Sequence, residues 1–139
     1  MPVAANAQAF GLRADMSLND LQVIEQNTVN SYWVDVPQPN ENFDRYLVTA
    51  TSAGVCTVIA SNMNASSFID LKQVLDPVLR RTYGEPTREH ESASLWEGLQ
   101  GPVEAIFLAA YPDGLLLSYS FPGAAECAAA RSVVDATGL

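Results

Sequence analysis

Val103–Phe121, VEAIFLAAYPDGLLLSYSF, decides the fold class. Pro112-Asp113-Gly114 is the clearest turn signal in the chain, because Pro presets a turn dihedral and Gly accepts positive φ. On its far side Leu115, Leu117, Tyr119 and Phe121 alternate with Leu116, Ser118 and Ser120, which predicts a strand with one buried and one partly polar face. Ser94–Gly98, Val103–Tyr111 and Leu115–Phe121 therefore read as a three-strand antiparallel meander.

Upstream, Arg45–Thr51 and Val55–Ser61 are two β-prone runs joined by Ser52-Ala53-Gly54, a second hairpin. Ser31–Val36 reads as a strand closed by Pro37 and Pro39, which cannot donate to a ladder. Between the meanders, FIDLKQVLDPVLRRTYGEP places Leu71, Val74, Leu75, Val78 and Leu79 on one helical stripe, ended by Gly84 and Pro86. Pro77 interrupts it, either as a kink or as the first residue of a second segment capped by Asp76. Ser17 and Asp20 resemble a capping box, and Leu18, Leu21 and Ile24 at helical spacing predict a short helix over 18–27. Ala124–Thr137 reads as a terminal helix with Cys127 in its first turn. The expected class is α+β: antiparallel sheet in an α-βββ-α-βββ-α order, helices packed on one face. The two αβββ halves are a topological remark, since residue-level similarity between them is too weak to define a repeat.

The 139 residues fit one domain, expected over 10–139, and 48% hydrophobic content suffices for a core. Sixteen acidic groups against one Lys and six Arg give a net charge of −9, which repels phosphate backbones and anionic headgroups. Nucleic acid and membrane insertion are excluded as expectations. The acidity either aids solubility or suits a basic protein partner. Residues 1–9, MPVAANAQA, carry the small-x-small pattern of a signal-peptide c-region, so they are read as its remnant or as a flexible tail, and a periplasmic or secreted location is expected. Cys56 and Cys127 then read as one disulfide; two buried thiols are the alternative should export fail.

Phe10-Gly11-Leu12, Met16-Ser17 with Asp20-Leu21, Gly54-Val55-Cys56, and Leu79 followed by Tyr83-Gly84-Glu85-Pro86 resemble a loose family of small exported bacterial proteins of unknown function. The resemblance covers most of the chain and implies export, an α+β domain and a second Cys near the C-terminus, which Cys127 matches. The helix-plus-meander halves also resemble BamE-type outer-membrane assembly factors and β-lactamase inhibitor proteins. Neither comparison carries over a functional residue.

Catalytic chemistry has little to build on. The one histidine, His90, lies in the loop TREHES, and no His-Glu-x-x-His, Gly-x-Ser-x-Gly, Ser-x-x-Lys or P-loop pattern occurs. No catalytic residue, metal or cofactor is expected. The leading expectation is a non-catalytic exported binding protein, of inhibitor, immunity or envelope-assembly type, contacting another protein. An enzyme with an unrecognised site is the rival, to be told by a pocket gathering His90 with two carboxylates or with a free Cys56. A structural homo-oligomeric envelope subunit is the third reading. Trp33, with Tyr32 beside it, and Trp96 read as packing residues within strands, with interface anchoring the alternative. The partner-contact candidates are Glu85, Glu89, Glu91 and Trp96: charge to steer a basic partner, and an aromatic to anchor it.

Overall fold

The computed structural model describes residues 9–130. They form an α+β domain built on one eight-stranded antiparallel sheet. In chain order the elements are β1 Gln22–Gln26, β2 Ser31–Asp35, β3 Arg45–Thr51, β4 Gly54–Asn62, α1 Phe68–Tyr83, β5 Arg88–Glu89, β6 Ala93–Trp96, β7 Ala105–Tyr111, β8 Gly114–Ser120 and α2 Ala124–Ala128. The sheet order β1-β2-β3-β4-β8-β7-β6-β5 makes two four-strand meanders that meet at the β4–β8 seam. The expected strands all form, including the hairpin across Pro112-Asp113-Gly114.

Three expectations are corrected. The helix over 18–27 is one 3-10 turn, Leu18–Asp20, followed by β1. The capping-box bonds of Ser17 and Asp20 satisfy that single turn, and the tight Asn27–Ser31 connection, with Asn27 Nδ2 donating to Ser31 Oγ, folds β1 back on β2. The αβββ order thus holds in neither half: the first has four strands and no long helix, and in the second β5 makes four strands after α1. Secondly, the terminal helix expected over 124–137 ends within the described residues at Ala128, as α2. α1 covers β7 and β8 on the core side, and α2 lies against β3 and β4. Thirdly, Ala9, assigned to the tail, is buried and pairs with Leu12. The expected tail 1–8 and the helix beyond Ala130 lie outside the described residues.

α1 runs unbroken through Pro77, opened by Ser67 Oγ accepting from Asp70 N. Its buried stripe is Lys72, Leu75, Asp76 and Leu79, while Val74 (61%) and Val78 (46%) are exposed. The stripe is rotated from the expected one because a mutually paired Lys and Asp occupy core-facing positions. Leu75 and Leu79 each contribute about 2 kcal/mol by burial. They meet the inward row of the sheet, in which Tyr32, Val48, Val58, Tyr119, Ile106 and Trp96 lie side by side in register. Over the first meander the N-terminal segment takes the covering role: Phe10 packs against Phe43, Tyr46 and Tyr119. Gly54 is obligatory, since its φ is +120° and an added Cβ would sit 2.3 Å from the Ala14 carbonyl oxygen.

Candidate binding surfaces

Cys56 and Cys127 are joined in a disulfide across 71 residues. Closing so long a loop stabilises the fold by about 4 kcal/mol on the chain-entropy model. The bond holds α2 at the end of β3 and β4, where Thr51 Oγ1 also donates to the Cys127 carbonyl at 2.7 Å. Cys56 is therefore no free nucleophile.

The four partner-contact candidates separate. Trp96, read as a strand packing residue and also named as a candidate anchor, is 0% exposed, and its Nε1–H donates to the Gly84 carbonyl at 2.8 Å. It is a core residue: alternation in β6 points Ser94 and Trp96 inward under α1, so Trp96 fastens the α1–β5 loop from below and presents nothing to a partner. Glu85, Glu89 and Glu91 are exposed, but two of them are engaged, because Arg80 donates to both Glu85 and Glu89 as well as to Asp76. β5 pairing explains the geometry: Glu89 lies opposite inward Ser94, on the α1 side, while Arg88 lies opposite outward Leu95. Glu91 has no ion-pair partner among the described residues.

Beneath this acidic lip lies an ionic cluster that the sequence reading missed. Asp76 accepts from Lys72 Nζ (3.2 Å), from Ser94 Oγ (2.9 Å) and from Arg80. Burial alone would raise the Asp76 carboxyl, but the hydrogen bonds from Arg80, Ser94 and Lys72 outweigh it and hold it below the usual range. The Asp76 hydrogen bond, opposed by burial, correspondingly raises Arg80. The signal was available as Lys72-x3-Asp76-x3-Arg80, an i, i+4, i+8 ladder containing the only lysine of the chain. An open groove of about 530 Å³ between α1 and the β5–β6 turn is lined by Lys72, Asp76, Arg80, Glu89, His90 and Glu91. It gathers His90 with Asp76, Glu89 and Glu91, the arrangement named above as the mark of the enzymatic rival, and among the described residues no hydrogen bond fixes the His90 ring.

The second surface is the outward face of the sheet. In register across it run Trp33, Leu47, Ile59, Ser118, Phe107 and Leu95. All are half-buried by their neighbours, and none of the five apolar ones packs against the main core. Both flanks carry notches: one of about 460 Å³ beside Phe107, Ala109 and Tyr111, and one of about 320 Å³ beside Trp33, Asp35 and Arg45. The Arg45 guanidinium stacks 3.7 Å from the Trp33 ring centroid, so Trp33 stands outward under a cation and outside the core.

No protein-family model matches the chain, and no curated protein or solved structure matches it either. Among the described residues no helix is long and apolar enough to cross a membrane, and no three of His, Cys, Asp and Glu gather as metal ligands.

Proposed function

We propose that the protein is an exported, non-catalytic binding module that docks another protein on the outward face of its sheet. The observation that carries this reading is the cross-strand row Trp33, Leu47, Ile59, Ser118, Phe107 and Leu95, whose five apolar members, parted once by Ser118, do not pack against the main core among the described residues. A largely apolar row with flanking notches suits an interface centre, and a rigid sheet presents it without ordering cost. The partner is basic around an apolar centre. A net charge of −9 draws such a protein in and opposes face-to-face pairing with an identical copy. The disulfide supports an oxidising compartment, and with it export to the periplasm or beyond. The disulfide removes the free Cys56 that one form of the enzymatic rival needs, while the groove that gathers His90 with Glu89 and Glu91 is the feature that favours that rival.

A photo-crosslinking residue at position 107, with position 74 on the outer side of α1 as the control, tests the docking face in living cells. Position 107 is expected to crosslink a basic protein that position 74 does not reach. A crosslink from 107 to a second copy of the chain would turn the reading into self-assembly. A crosslink from 107 to residues 131–139 would show that the chain covers its own face.

A further inference from the structure

We infer that the groove between α1 and the β5–β6 turn is a separate binding site for a basic amino acid with a free carboxylate, either as the free molecule or as the C-terminal residue of a chain. Its lining offers a ligand both signs of charge, Lys72 at the floor and Glu91 at the rim. Lys72 is 4% exposed, and among the described residues its ammonium makes one hydrogen bond, to an Asp76 carboxylate that Arg80 and Ser94 also occupy. An ammonium carries three donors, so from the groove lining Lys72 can give a further hydrogen bond to a ligand while it keeps Asp76. At the rim, exposed Glu91 has no cation, and Glu89 shares its own with Glu85 and Asp76.

A ligand that matches both charges brings an anion to the floor and a cation to the rim. A simple anion would leave the rim carboxylates repelling it, and a simple cation would face Lys72 and Arg80. A carboxylate also suits Lys72 better than a phosphate does, because Asp76 already supplies part of the negative charge around that ammonium. The groove's volume of about 530 Å³ accommodates one amino-acid residue and its solvent. This site shares no residue with the outward face, so its failure and that of the docking reading are independent.

Titrations followed by amide NMR shifts of the 139-residue protein test it with four probes: L-arginine, Nα-acetyl-arginine, agmatine and Nα-acetyl-alanine. Saturable shifts at Lys72, His90 and Glu91 are expected with arginine or its acetylated form. Equal or tighter binding of the acetylated form assigns the ligand to a chain end, and binding of arginine alone assigns it to the free molecule. Agmatine, which lacks the carboxylate, and acetyl-alanine, which lacks the cation, are each expected to bind about tenfold or more weakly, the loss of one charge-assisted hydrogen bond. Lys72→Gln and the rim variant Glu91→Gln should each weaken arginine binding by a similar factor. Asp76 keeps Arg80 and Ser94 in the first, and the second changes an exposed side chain. No saturable shift with either form of arginine, or binding indifferent to both substitutions, overturns the proposal.

Discussion

The two faces of the sheet are made by the same strands and differ in what meets them. In β4, Val58 points inward and is wholly buried, whereas its neighbour Ile59 points outward and is half-buried. In β6, Trp96 and Leu95 divide the same way. Both faces are rich in large apolar residues, and among the described residues α1 and the N-terminal segment cover the inner one. Apolar composition therefore reports that a strand face is to be covered, without saying whether this chain or another does the covering. On that ground core and docking face look alike in sequence and part company in energetics.

The sharpest break of the comparison is Trp96→Ala. It removes the largest fully buried side chain and leaves the Gly84 carbonyl without its donor, so a loss of about 3–5 kcal/mol is expected. Chemical denaturation with unchanged slope is the measurement. A loss no larger than that of an exposed residue would mean that β6 does not seat Trp96 under α1.

The ionic cluster comes next, because it lets the inner face hold charge. Asp76→Asn leaves the desolvated Lys72 without its carboxylate, and breaking such a pair costs about 3 kcal/mol. The pH dependence follows from the lowered Asp76 carboxyl. The unfolded chain binds a proton there more readily than the native one, so the stabilisation is complete above the ordinary carboxylate pKa of about 4 and is lost as pH falls below it. Unfolding midpoints between pH 7 and pH 3 should show the wild-type advantage over Asp76→Asn shrinking toward acid. A constant gap would put the pair outside the titration.

Much of the fold was legible because turn chemistry and strand composition agree from Ser31 to Phe121. Pro112-Asp113-Gly114 and Ser52-Ala53-Gly54 both join the strands they predict. β1 was misread because an edge strand exposed along its whole length carries no alternation, and Leu18, Leu21 and Ile24 fell at helical spacing by coincidence. The α1 stripe was misread for a different reason: an apolar count cannot see that Lys72 and Asp76 neutralise each other and so can turn inward. Of the site, the acidic loop was legible from its glutamates. Its relation to Lys72 depends on Arg80 reaching across from α1, a contact between residues that no local pattern links. Trp96 was legible as a strand packing residue, and its second reading as an anchor arose because a tryptophan next to an acidic loop reads the same whether its strand points it out or in.

The smallest expected effect on stability separates the two faces most directly. Val58→Ser and Ile59→Ser change adjacent residues of one central strand, with the same backbone hydrogen bonds and similar losses of strand propensity. The first opens a cavity and places a hydroxyl among Val48, Tyr119 and the other inward residues, so about 2–3 kcal/mol should be lost. The second removes a half-buried side chain that water already reaches, and about 1 kcal/mol or less is expected. If the outward face docks a partner, the order inverts in binding. Ile59→Ser should weaken the complex by tenfold or more, about 1.4 kcal/mol, while Val58→Ser, measured where it remains folded, leaves affinity nearly unchanged. Equal destabilisation by the two substitutions would mean that the outward row is itself core, covered by this chain, and the docking face would then have to be sought elsewhere on the molecule.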